Sequence, residues 1–320
     1  MKTIPVGKLR GLQQCTSPQG TFTCLALDHR QNLRRALFPQ DPGKVTDSEL
    51  SSFKLEVISS LAGYATAVLL DPEVSAAQAI VTGSLPGQAG LVVALESTGY
   101  NGDPGARLSQ VLPGWSVEKA KRMGASMVKL LVYYHPQSPT APAIENFVKQ
   151  MSEECSRFDL GLMLEPLSYS LQEGASLSST EKRFVVTETA RRLVIPGVDI
   201  LKSEFPLDVH DAEDEKNWAE ACTEISEAST VPRILLSAAV DFETYLRQVQ
   251  AACQAGASGI AVGRAVWQEA VGLEDSERCN FLRTTARERL TQLTELCSRS
   301  ARPIQSFYSA EAPFDWYKTY

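Results

Sequence analysis

The chain has 320 residues, 43% hydrophobic and 22% charged, with a net charge of −7 at pH 7. That is the balance of a globular protein with a large core, and the acidic excess argues against general nucleic-acid binding; an anionic substrate is not excluded, because a few local cations outweigh the average. Nowhere do 18 apolar residues run together, and the opening MKTIPVGKLRGLQQ has no signal-peptide core, so neither a membrane span nor export is expected.

In chain order, short apolar runs ending in a polar or charged residue alternate with helical patterns. Strands are predicted at Phe22–Asp28, Thr66–Asp71, Gly90–Glu96, Ser126–Tyr134, Leu160–Pro166, Val198–Pro206, Arg233–Ala239 and Gly259–Gly263. Helices between them include Ser116–Gly124, Ala143–Arg157, Ser179–Val194, Glu213–Ala228 and Asp241–Ala255. Ser116, Ser178-Ser179 and Asp241 supply caps, and Gly124, Gly197 and Gly256 stand where a helix must turn into the next strand. Gly99–Pro113 is expected to be a long loop. From Ser276 one more helix is expected, then an aromatic tail packed on the barrel or on a neighbouring subunit.

Eight strands alternating with helices predict a single-domain (β/α)8 TIM barrel, the barrel over about 20–275 and the extra C-terminal helix and tail over 276–320. An open doubly wound sheet would also alternate. Strand parity predicts a helix-facing set: Leu25 and Leu27; Val68 and Leu70; Leu91, Val93 and Leu95; Val128, Leu130 and Val132; Leu162 and Leu164; Ile234 and Leu236; Ile260 and Val262. The opposite set has small residues low in the strands. Near their C-terminal ends it has Asp28, Asp71, Glu96, Lys129, Glu165, Lys202, Ser237 and Gly263.

Lys202, in VDILKSEFP, is a lysine inside an apolar strand, and charge is costly to bury there unless Glu204 pairs with it. Lys129, in MVKLLVYY, is a second lysine embedded in the same way. Like charge and desolvation both lower a lysine pKa, and a neutral amine can attack a ketone to form an imine. Glu165, in LGLMLEP, is the candidate proton carrier or a salt-bridge partner of the lysines. Asp28, Arg30, Asp71 and Glu96 at other strand ends suggest a shared polar pocket. Barrels often hold phosphate beyond strands seven and eight, where Ser237, Gly263 and Arg264 stand.

The motifs LALDHR, LLDPE, VKLLVYYHP, LEPLSY, DILKSEFPLD and GASGIAVGRAVW, in this order from about Phe22 to Gly272, resemble the tagatose-1,6-bisphosphate aldolase family, with the related sulfofructose-phosphate aldolases. These are class I, Schiff-base aldolases. The resemblance implies Lys202 as the imine-forming lysine, Glu165 as acid/base and Lys129 as the third catalytic residue. It places Asp28, His29 and Arg30 at the substrate, and Ser237, Gly263 and Arg264 at a phosphate. Two positions depart from the family pattern: His29 stands where Gln is usual, and Ala239 where Gly is usual.

The expected activity is therefore reversible cleavage of a phosphorylated ketose, tagatose-1,6-bisphosphate-like or sulfofructose-1-phosphate-like, to dihydroxyacetone phosphate and an aldehyde. A Schiff-base lyase or transaldolase on another ketose or keto acid is the alternative, as is a non-catalytic sugar-phosphate-binding regulator. The scattered histidines His29, His135 and His210 give no zinc spacing, and no nucleotide-binding motif occurs, so no metal and no cofactor are expected. Seven scattered cysteines without a C-x-x-C pair fit reduced thiols in the cytoplasm, and a homo-oligomer is the default for such an enzyme.

Overall fold

The computed structural model describes residues 1–208, 215–238, 240–318 and 320. Eight parallel strands close into a barrel: β1 (Phe22–Ala26), β2 (Ala67–Leu70), β3 (Gly90–Ala94), β4 (Met127–Tyr133), β5 (Gly161–Leu167), β6 (Ile200–Ser203), β7 (Arg233–Leu236) and β8 (Gly259–Val262). β8 pairs back onto β1, with Phe22 opposite Gly259 and Leu25 opposite Val262, so the open sheet is excluded. All eight predicted strands are present, most of them shortened where the chain leaves the ladder to form the rim.

Helix α1 (Val6–Gln14) precedes the barrel, and α2 (Gln31–Leu37) and α3 (Asp47–Leu61) follow β1. The next six strands are followed in turn by α4 (Ala76–Val81), α5 (Val117–Arg122), α6 (Ala141–Arg157), α7 (Ser179–Leu193), α8 (Glu215–Ala228) and α9 (Phe242–Gln254). After β8 come α10 (Arg264–Trp267), α11 (Asp275–Phe281) and α12 (Arg287–Ser300). A π-helical turn, Leu282–Ala286, joins the last two into the predicted C-terminal helix. Among the described residues no helix is long and apolar enough to cross a membrane.

The predicted caps form. Ser116 accepts from Lys119 N and Asp241 from Thr244 N, while Ser178 and Glu181 complete a capping box. Helix α6 starts two residues earlier than predicted, with Pro142 in its first turn, where a missing N–H leaves no helical bond unmade. Gly124 and Gly256, at φ of 93° and 90°, follow the C-caps Met123 and Ala255 in the left-handed turn that ends α5 and α9, whereas α7 ends earlier, at C-cap Val194, and Gly197 (φ 98°) lies in the turn beyond it. The predicted start of α8 at Glu213 lies outside the described residues, as do His210 and Ala239.

The core between strands and helices contains the predicted outward set from β1 to β5 and from β8, all buried. Strand β7 is the exception. Leu235, not Ile234 or Leu236, packs toward the helices; Ile234 pairs with inward Lys202, and Leu236 lines the barrel mouth. The cause is Arg233, which is wholly buried and donates to the carbonyls of Cys222 on α8 and Ala252 on α9. That outward anchor reverses the apparent alternation. The lower barrel is also filled by larger residues than predicted, including Phe22, Leu69, Met127, Met163 and Ile200.

Helix α1 and the tail seal the N-terminal face. Lys8 Nζ lies 2.7 Å from Asp199 Oδ2, both groups nearly fully buried, and the Asp199 carboxylate also accepts from Leu162 N. Lys2–Thr3 pairs in parallel with Tyr308–Ser309, and the Tyr308 hydroxyl donates to the Asp199 carbonyl at 2.7 Å. The tail thus docks on the barrel at Tyr308.

Candidate active site

A cavity of about 310 Å³ opens at the C-terminal ends of the strands. The long β4–β5 ladder, in which Leu131 pairs with Glu165, sets Lys129 and Glu165 on adjacent walls; Leu164 opposite Leu201 brings Lys202 alongside. Lys202 is 4% exposed, and its Nζ lies 2.8 Å from Glu165 Oε1. Lys129 is fully buried within a cage of three carboxylates: Asp28 Oδ2 at 2.6 Å, Glu96 Oε1 at 2.6 Å and Glu165 Oε2 at 3.1 Å.

The two lysines are therefore electrically different. Desolvation would lower the Lys129 pKa, but Asp28, Glu165 and Glu96 outweigh it and hold the ammonium well above its usual range. Glu165 stands between the two ammonium groups, so the bare repulsion expected from their proximity is largely offset. Desolvation raises Glu165, yet Lys129 and Lys202 together bring it below the usual carboxylate value. Its Oε2 is near Lys129 but not aligned with it, and this buried oxygen has no hydrogen-bond donor among the described residues. A lone pair there is available to a substrate proton. The Lys202–Glu204 pair does not form; Glu204 instead accepts from Ser168 N at 2.6 Å.

Of the first-strand group, Asp28, His29 and Arg30 all line the cavity. Asp28 is strongly depressed: desolvation opposes, but Lys129 and Lys202 prevail. Desolvation, partly countered by Asp28, pushes His29 down to about 4, with Arg264 adding to the shift, so it is neutral near pH 7. Its ring meets Trp267 edge-on at 5.5 Å. Arg30 is already engaged: NH1 contacts Glu73 at 2.5 Å and NH2 donates to the Glu96 carbonyl at 2.8 Å.

Asp71 is the residue the structure removes from the predicted pocket. It accepts from the backbone N–H of Glu73 and Val74 in the turn after β2 and forms a buried ion pair with Lys54 of α3. Glu96 gains a role its sequence position had not shown, since Oε1 holds Lys129 and Oε2 accepts from Leu131 N. Tyr133 was also missed, although it follows Lys129 by four residues on the same strand face and lines the cavity.

Ser237, Gly263 and Arg264 meet on the opposite side of the mouth, where Gly263 N donates to Ser237 Oγ at 3.4 Å. A Cβ on Gly263 would lie 2.9 Å from the Ala26 carbonyl and 3.1 Å from His29, so only glycine fits between β1 and β8 there. The Arg264 guanidinium is half-buried and lines the cavity, with no hydrogen bond or ion pair among the described residues.

Comparison with known proteins matches residues 22–269 to the DeoC/LacD family of aldolases. The chain belongs to that family. It is a carbon–carbon lyase of the class I type. This aldolase is 32% identical to tagatose 1,6-diphosphate aldolase 2 of Enterococcus faecalis, over 94% of its own length and 96% of the relative's. It is 30% identical to a tagatose 1,6-diphosphate aldolase of Listeria monocytogenes, over 97% of each chain. Among solved structures, an archaeal fructose 1,6-bisphosphate aldolase shares its fold, with a TM-score of 0.61 at 24% identity over 91% of this chain and 99% of that one. A Schiff-base-forming fructose-1,6-bisphosphate aldolase aligns with a TM-score of 0.57 at 22% identity, over 88% and 99%.

Proposed function

We propose that this aldolase cleaves a ketose 1-phosphate or 1,6-bisphosphate to dihydroxyacetone phosphate and an aldehyde through an imine on Lys202. The contrast between the two lysines carries the reading. Among the described residues Lys129 is locked as a cation by three carboxylates, whereas Lys202 meets one, Glu165, and opens into the cavity. Glu165 takes the Lys202 proton, freeing the amine to attack the C2 carbonyl. Loss of water leaves an iminium, which accepts the electron pair of the breaking C3–C4 bond. Glu165 then exchanges protons with nitrogen-side groups and C3, while Lys129 orients the hydroxyls of the sugar. Arg264, without an ion pair among the described residues, takes the 1-phosphate together with Ser237 and Gly263.

The likeness to tagatose 1,6-diphosphate aldolases supports a bisphosphorylated ketose as substrate. Borohydride added with dihydroxyacetone phosphate should inactivate the enzyme and leave a secondary-amine adduct on the Lys202 peptide. Lys202→Ala should lose both trapping and turnover. Lys202→Arg should fail as well, since a guanidinium stays protonated. An adduct on Lys129 would exchange the roles of the two lysines. No adduct, with activity lost to a chelator, would overturn the imine.

A further inference from the structure

Besides Asp28, Glu96 and Glu165, a fourth carboxylate, Glu204, lines the cavity and has no part in the chemistry described above. Glu204 follows Lys202 by two residues, so both side chains leave the same side of the chain at the end of β6, and both line the cavity. Two residues of extended chain advance about 6.6 Å, which sets Glu204 nearer the mouth than the lysine. Its Oε2 is held by the Ser168 N–H at 2.6 Å. The Ser168 side chain contacts the same carboxylate, which makes no ion pair within 4 Å among the described residues. Glu165, by contrast, is clamped between two lysines at the depth of the imine nitrogen.

Cleavage makes two separate proton demands. A base must remove the proton of the C4 hydroxyl as the C3–C4 bond breaks, and an acid must later protonate C3. We propose that Glu204 is the base at the C4 hydroxyl, leaving Glu165 to serve the nitrogen and C3; this rests on the imine at Lys202. Glu204 takes the hydroxyl proton as the O–H electrons form the new C=O bond. The C3–C4 pair moves into the enamine and neutralises the iminium. In condensation the protonated Glu204 returns that proton to the aldehyde oxygen.

Desolvation raises the Glu204 carboxyl above its usual value; Lys182 and the Ser168 contacts oppose this, and Glu165 adds to it. A more basic carboxylate suits proton removal from a hydroxyl. Among the described residues the charged groups that act on it are Lys182 on α7 and Glu165 on β5, while Lys202, two residues earlier, is turned to Glu165. Because the ionised form is the base, cleavage should fall as pH drops through the raised Glu204 pKa, and the residual activity of Glu204→Gln should lack that limb.

The decisive comparison is between ketose 1,6-bisphosphate cleavage and exchange of the C3 proton of dihydroxyacetone phosphate with deuterated water, which needs no base at C4. Glu204→Gln keeps an acceptor for Ser168 N; it should lower cleavage kcat about 10²–10⁴-fold while exchange and borohydride trapping change by no more than about two-fold. Glu165→Gln should impair both. Formate should restore part of the cleavage lost in Glu204→Ala. Normal cleavage by Glu204→Gln, or cleavage and exchange falling together, would overturn the assignment. If the wild-type enzyme gives no adduct at Lys202, the imine fails and the role of Glu204 falls with it. An adduct accompanied by normal Glu204→Gln cleavage sinks Glu204 alone.

Discussion

Arg264 is a cation at a cavity wall that has no carboxylate partner among the described residues, unlike Arg30 beside it in the same cavity, which is engaged by Glu73 and the Glu96 carbonyl. Charge-assisted hydrogen bonds to an anion are worth about 1.5–3 kcal/mol. Arg264→Ala should therefore raise KM for a phosphorylated ketose about 10- to 150-fold, with kcat little changed if the contact is equal in ground and transition states. Steady-state kinetics on phosphorylated and unphosphorylated ketoses check this; equal KM values for the variant and wild type would move the phosphate elsewhere. At this scale the gathering of the two lysines and Glu165 at one cavity was legible in sequence, because an ionisable residue inside an apolar strand stands out. Glu165 was anticipated as a partner of the lysines, but the other carboxylates that meet Lys129 were not. Lys129 meets Asp28 and Glu96 from positions 101 and 33 residues away, and only barrel closure brings them together.

At the scale of elements, Asp71 shows how one strand end can serve the scaffold. Lys54 of α3 is wholly buried with it, and the Ser75 hydroxyl donates to the same carboxylate at 2.6 Å, so the pair fixes α3 against the β2 turn. Lys54→Met would leave a buried carboxylate without its counter-charge, and should destabilise the fold by about 3–5 kcal/mol. Replacing both partners with apolar residues should cost much less. Chemical denaturation of the single and double variants measures the difference. The loop after β3 is pinned differently: the Arg107 guanidinium stacks 4.6 Å from the Tyr100 ring, 5.3 Å from Tyr133 and 4.5 Å from Tyr169. The loop itself was evident from its glycines and prolines. Its docking was not, because the Tyr133 and Tyr169 rings come from the ends of two other strands.

Across the whole molecule, support and chemistry occupy opposite ends of the barrel. The N-terminal face is closed by α1 and the tail, and the Tyr308 hydroxyl is buried against the Asp199 carbonyl. Tyr308→Phe leaves that carbonyl without the donor, an expected loss of about 1–3 kcal/mol. Thermal melting should show a Tm lower by a few degrees, while kcat and KM stay at wild-type values because the site lies at the far end. A matching loss of kcat would show that the two faces are coupled. The sequence by itself determined the eight strands, most of their inward and outward faces, the helix caps and most of the polar side chains that line the cavity. Those depend on local periodicity and on residue type, both of which act over a few residues. The tertiary structure alone decided that β7 turns Leu235 outward, that Asp71 leaves the pocket for Lys54, and that Glu165 comes to lie between two unequal lysines. Each of those outcomes is set by a partner distant in the chain, and burial of a charge is tolerable only where closure of the barrel supplies that partner.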